Sequence, residues 1–173
     1  MPIEWFFSDG VVLNLRHKKP GEKISVQDLE GALRRIGYAL KPLDIVMIVN
    51  GRDRGVGSTE YFEQPSMTRE STLWLVEQGI KVIGVDPYGF DRRFEDMARE
   101  FRETGDGRVI WEAHFAGIER GHCQIEKLAN LVRSRAPPAS RSPASPQGFK
   151  APAEASVGPW RLSNVDVYLV RFS

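Results

Sequence analysis

Two short, mainly apolar runs limit most strongly what this chain can fold into. They are Asp44–Val49 and Lys81–Asp86, and each has the length of one β-strand. Neither alternates apolar with polar residues, so both are predicted to be strands covered on both faces. A shorter β-rich run, Gly10–Leu15, predicts another strand ahead of them. Because helical patterns separate these strands, the predicted class is α/β with a largely buried sheet.

Three helices are predicted from capping residues and apolar spacing, one after each of these strands. Ser25 begins the first helix and Gly37 ends it. Thr68 or Ser71 begins the second, and Asp91 is predicted to cap the third. The third helix carries an apolar stripe that we interpret as core or as an oligomer contact; it consists of Phe94, Met97, Ala98 and Phe101.

Polar side chains follow two of the predicted strands, and strand ends commonly line sites in α/β sheets. The loop after Asp44–Val49 contains Arg52, Asp53 and Arg54, which are either part of a site wall or ordinary loop charges. Asp86 ends the other apolar run, where it either contributes to a site or forms a cap or turn.

The stretch 111–131 holds two of the three histidines and the only cysteine. An imidazole beside a carboxylate is typical of a zinc or manganese site. His114 and Glu126 are twelve residues apart, so they meet only if the chain turns between them. Spacing alone leaves open a structural hydrogen-bonded pair, which is the more common arrangement. Cys123 has no partner cysteine and is interpreted as a small buried group.

The sequence of this stretch, WEAHFAGIERGHCQIEKLANL, resembles the late motif of the cyclase family of metal-dependent hydrolases, which includes bacterial kynurenine formamidase. The resemblance implies a swivelling β/β/α domain in a homo-oligomer, with a divalent ion, zinc or manganese, bound by His114 and Glu126. The implied reaction is hydrolysis of an aryl formamide or cyclic amide, as in tryptophan catabolism. Recruiting His122 or Glu119 would raise the number of ligands, but the family offers no precedent.

The same resemblance implies that part of the family's metal site is missing. Family members carry an HxGTHxDxPxH motif upstream, whereas the only histidine before His114 is His17, in a segment that matches a different loop. We therefore expect an N-terminally truncated domain. Two alternatives to an amide hydrolase follow, namely a non-catalytic remnant and a small-molecule binding or oligomerisation module.

The resemblance and the composition divide the chain into three parts. Residues 1–131 are expected to form a partial cyclase-like domain. Residues 132–151 are rich in Pro, Ser and Arg and are predicted to be flexible, because they have no hydrophobic period. Residues 152–173 form a C-terminal segment in which 165–172 alternates like a strand.

Charge and composition argue against several classes of partner. A net charge of +1 gives no reason to expect a nucleic acid or an anionic membrane surface. No apolar run approaches the roughly 20 residues that span a bilayer. A single cysteine excludes an internal disulfide and fits a reducing, cytoplasmic location. The expected partner is a small-molecule amide substrate.

Overall fold

A computed structural model of the 173-residue chain describes residues 1–129, 131, 160–162 and 165–167. The predicted flexible segment 132–151 and most of the segment 152–173 lie outside these residues. In chain order the strands and helices are β1 (Gly10–Asn14), β2 (Lys23–Ile24), α1 (Val26–Ile36), β3 (Ile45–Val49), β4 (Ser66–Met67), α2 (Arg69–Glu77), β5 (Val82–Val85), α3 (Phe94–Thr104), α4 (Glu112–Glu119), β6 (Cys123–Ile125), β7 (Trp160–Leu162) and β8 (Val165–Val167).

The main sheet is parallel and has the strand order β1-β3-β5-β6. Ile45 lies between Gly10 and Val82 in register, so the carboxyl ends of the strands lie along one edge. β2 and β4 form a small parallel pair, and β7 and β8 an antiparallel one. This arrangement confirms the predicted α/β class with a buried sheet.

The first two helices begin at the residues that their capping patterns predict. Ser25 accepts from the backbone N–H of Asp28 at the start of α1, and Asp28 returns the bond in a capping box. Thr68 and Ser71 form the equivalent box at the start of α2. Gly37 ends α1 in the left-handed conformation, which glycine adopts without steric cost. No helix in the described ranges combines the length and apolar character that a bilayer crossing needs.

The side chains of β3 alternate between two buried clusters, one on each face of the main sheet. Val46 and Ile48 belong to the first cluster, which α1 and α2 cover. Ile45, Met47 and Val49 belong to the second, together with residues of β6 and the segment after it. Burial on both faces explains why the sequence of β3 is apolar at every position. The second cluster also includes Val82, Cys123, Ile125, Leu128 and Leu131.

Gly84 in β5 is the point where the segment after β6 approaches the sheet most closely. A Cβ atom at residue 84 would lie 2.6 Å from Cδ1 of Leu128, which is buried at 1% exposure. The backbone N–H of Leu128 donates to the carbonyl of Val85 at 3.0 Å. These contacts fix the residues that follow β6, including Glu126, over the carboxyl end of β5.

Replacing Gly84 with alanine is expected to lower the free energy of unfolding by about 1–3 kcal/mol, because the added methyl overpacks a filled core. The matched control is Gly107→Ala, where a Cβ atom would meet nothing within 4 Å. Its expected effect is below about 0.5 kcal/mol. Urea unfolding measures both values. A Gly84→Ala protein as stable as the control would contradict the close packing against Leu128.

Candidate functional site

The loops after β5 and β6 open a cleft of 890 Å³ at the carboxyl edge of the main sheet. α3, α4 and the segment before β4 complete its walls. Three titratable side chains meet in the wall, Asp91 after β5, His114 on α4 and Glu126 after β6. The aromatic lining consists of Phe62, Tyr88, Phe90, Phe94 and Trp111.

Asp91 joins the loop after β5 to the start of α4. Its side chain is buried, and Oδ1 accepts from the N–H of Ala113 at 2.8 Å. Oδ2 accepts from the N–H of His114 at 3.1 Å and also contacts Nδ1 of the His114 ring. The prediction that Asp91 caps the third helix is therefore wrong. α3 begins after Arg93 without a side-chain cap.

The reason lies at the start of α4, which has no local cap. Trp111 precedes the helix in the left-handed conformation, with φ of 50°, and its side chain makes no capping bond. The first N–H groups of any helix need acceptors from outside it, and a carboxylate there also complements the helix dipole. Asp91 supplies that acceptor from a distant part of the chain.

Glu126 is held by the backbone on the other side of the same cleft. Its Oε1 accepts from the N–H of Phe90 at 2.9 Å and lies 3.6 Å from Nε2 of His114. The chain turns between the end of α4 at Glu119 and the start of β6, as the twelve-residue separation requires. The structure thus brings together the two side chains that the sequence predicts as metal ligands.

The donor atoms of this pair fit part of a divalent metal site. Contact with the Asp91 carboxylate favours the His114 tautomer that carries its proton on Nδ1, which leaves Nε2 facing Glu126. A carboxylate behind a histidine, with a second carboxylate beside its other nitrogen, is typical of zinc and manganese ligands. Across the described residues, no three His, Cys, Asp or Glu side chains form a metal-binding group. His114 and Glu126 therefore fit two coordination positions, and their metal-binding role stays a prediction.

The two further residues considered as ligands have other partners. His122 contacts the carbonyl of Arg120 through Nδ1 and the side-chain amide of Gln124 through Nε2, both at 3.1 Å. Burial lowers the pKa of His122, which favours the neutral ring. Glu119 forms a two-point ion pair with Arg69 on the surface. Neither side chain lines the cleft.

Asp86 holds the loop that follows β3. It is buried at 1% exposure and accepts from the N–H groups of Asn50 at 2.6 Å and Arg52 at 2.8 Å. Burial raises the pKa of Asp86. Of the two alternatives for this residue, the structure shows the turn-forming one. The loop residues predicted as site-wall candidates, Arg52, Asp53 and Arg54, are not among the residues that line the cleft.

An aromatic wall that sequence reasoning missed stands beside the His114–Glu126 pair. The rings of Phe62 and Tyr88 meet edge to face, with centroids 4.9 Å apart, and Tyr61 packs against both. The ammonium of Lys127 lies 5.0 Å from the centroid of the Tyr88 ring. The available signal was the position of Tyr88, three residues after the end of a buried strand, because binding sites in α/β sheets commonly lie at the carboxyl ends of strands.

The sequence matches a family model described as "Putative cyclase" over residues 1–92, more than half of the chain. This chain therefore belongs to the cyclase family. The matched range includes Asp86 and Asp91 and ends before His114 and Glu126. No curated protein sequence matches the chain.

Solved structures of cyclase-type hydrolases share its fold. An isatin hydrolase bound to the product analogue thioisatinate superposes with a TM-score of 0.61 at 16% identity, covering 78% of this chain and 52% of the hydrolase. Isatin hydrolase A from Labrenzia aggregata, bound to benzyl benzoate, gives 0.59 at 18% identity, covering 79% and 53%. A potential metal-dependent hydrolase with cyclase activity gives 0.54 at 17% identity, covering 96% and 67%. The chain thus spans about half the length of the isatin hydrolases, and the likeness confirms the predicted cyclase fold.

The lowered pKa of His122 predicts a stability that declines in acid. The unfolded chain has an ordinary imidazole pKa of about 6.5, so it binds a proton at a higher pH than the folded protein does. The contribution of His122 is fully present above that pH and is lost as the pH falls below it. His122→Gln is expected to flatten the stability profile between about pH 5 and 7.

Thermal unfolding across this pH range tests the expectation, with His17→Gln as the matched control because His17 is exposed. Profiles of the wild type and His122→Gln that fall in parallel would show that His122 does not titrate as its burial requires.

Proposed function

We propose that this chain contributes to a site where a divalent metal ion and an amide substrate meet, as part of a metal-dependent hydrolase. The observation that carries the proposal is the 3.6 Å approach of His114 Nε2 and Glu126 Oε1 in the wall of the cleft. A bound divalent ion would supply Lewis acidity toward a carbonyl oxygen and toward water.

Asp91 and the backbone of Phe90 orient the two proposed metal ligands. Contact with Asp91 holds the direction of the His114 ring and favours the proton on Nδ1, so Nε2 would be the atom that binds the ion. The N–H of Phe90 holds Oε1 of Glu126 toward His114. Both supports are backbone-anchored and buried, so the pair is arranged before any ion arrives.

The substrate that we propose is an aryl formamide or a cyclic aryl amide, of the kind hydrolysed by kynurenine formamidase. The aromatic lining of the cleft supports this class, because edge-to-face contacts favour a flat aromatic ligand. The structures of similar fold hold thioisatinate and benzyl benzoate, both of which are aromatic. We also propose that the hydrolase is a homo-oligomer in the cytoplasm.

A second function, metal binding without turnover, is favoured by the number of candidate metal ligands that the described residues bring together. Two protein ligands hold an ion weakly, whereas catalytic zinc sites use three plus an open position. We therefore propose that residues 1–173 alone bind metal weakly and turn substrate over poorly.

The test combines metal titration with hydrolysis of N-formylkynurenine by the purified chain. Zn²⁺ or Mn²⁺ binding by calorimetry is expected to be weak and to fall by more than about tenfold in His114→Ala, since a direct ligand matters more than the residues behind it. Turnover is expected to stay close to the uncatalysed rate.

The matched control is His17→Ala, which removes an exposed imidazole and should leave metal binding unchanged. Equal affinities in the wild type and His114→Ala would refute the metal-binding role. Robust turnover that disappears in His114→Ala would instead show that the site is complete within this chain.

A further inference from the structure

Gln64 is a buried side chain that fastens the loop after β5. It is 4% exposed, and its Nε2 donates to the carbonyl of Gly89 at 2.7 Å and to that of Asp91 at 2.9 Å. Its Oε1 accepts from the N–H of Gly89 at 3.1 Å. One amide thus makes three hydrogen bonds to the backbone of a three-residue segment, 89–91.

The middle and last residues of that segment support the two proposed ligands. Phe90 donates its N–H to Glu126, and Asp91 contacts the ring of His114. The carbonyl of Phe90 accepts from the N–H of Met67 at 2.9 Å, which ties β4 to the same segment. The positions of both ligands therefore depend on one short stretch of backbone.

We propose that Gln64 is a positioning residue that sets the spacing between His114 and Glu126. It acts through Phe90 and Asp91 and needs no contact with the substrate. The consequence for metal affinity rests on the function proposed above, whereas the consequence for the geometry of the pair does not.

The chemistry of the segment requires a primary amide at this position. The buried carbonyl of Asp91 and the partly buried carbonyl of Gly89 accept hydrogen bonds, and the partly buried N–H of Gly89 donates one; a glutamine amide matches all three. A glutamate in the same place would set a carboxylate against two carbonyl oxygens. A methionine fills a similar volume but leaves all three groups without partners.

The backbone around Gly89 is fitted closely to this amide. A Cβ atom at residue 89 would lie 3.3 Å from Nε2 of Gln64 and 3.9 Å from Oε1 of Glu126. The lack of a side chain at Gly89 therefore lets the Gln64 amide approach the loop. A substitution at Gly89 or at Gln64 should disturb the hydrogen bonds between them.

The experiment uses the full chain without metal, in the forms wild type, Gln64→Met and Gln64→Glu. The matched control is Asp44→Asn, because Asp44 is also buried and accepts from Tyr38 and Lys41, but it lies at the amino end of β3. Two NMR readouts are followed, the ring ¹⁵N shifts of His114, which report its tautomer, and amide exchange at Phe90.

Both Gln64 variants are expected to lose the fixed Nδ1–H tautomer and to exchange the Phe90 amide at least about tenfold faster. The control should keep both signals even if it is equally destabilised. In a separate titration, Zn²⁺ affinity is expected to fall by about 10–100-fold in the Gln64 variants. If they do not fold, Gly89→Ala, which retains the amide and crowds it, should shift the same two signals.

Folded Gln64 variants with wild-type ring shifts and wild-type exchange at Phe90 would overturn the positioning role. A failure of the function proposed above has a different signature. In that case the wild type itself binds no Zn²⁺, while the NMR comparison still decides the role of Gln64.

Discussion

The hydrogen bonds of the Asp91 carboxylate are the interaction on which the candidate site depends. They join the loop after β5 to the start of α4, which has no local cap, and they orient the ring of His114. Removing this buried carboxylate would leave its three donors unsatisfied and would lower the free energy of unfolding by on the order of several kcal/mol. The same contacts of Asp91 therefore stabilise the start of α4 and orient the ring of His114.

The parallel sheet positions Glu126, the other proposed metal ligand. β5 and β6 are neighbours in register, so the segments that follow them emerge side by side. The absence of a side chain at Gly84 lets Leu128 pack onto the sheet, which places Glu126 beside the N–H of Phe90. Two ligand side chains from distant parts of the chain meet because each is attached to this edge.

Features that depend on local sequence could be predicted, and those that depend on distant contacts could not. β1, β3 and β5 followed from apolar runs, and α1 and α2 from their capping residues, since both signals lie within a few residues. The role of Asp91 was predicted wrongly because its partners are more than twenty residues away, and two of the three are backbone N–H groups, which leave no trace in composition. The meeting of His114 and Glu126 followed from resemblance to a family and not from spacing. The metal-binding role and the domain boundaries stay predictions.

Locating a bound paramagnetic ion tests directly whether His114 and Glu126 bind metal. Substoichiometric Mn²⁺ added to the isotope-labelled chain broadens the NMR signals of nuclei close to the ion. We expect the side-chain signals of His114 and Glu126 to broaden first, followed by the amide of Phe90, with no early effect at the exposed His17. Early broadening at His17 or at surface carboxylates, with the signals of His114 and Glu126 left sharp, would show that this pair does not bind the ion.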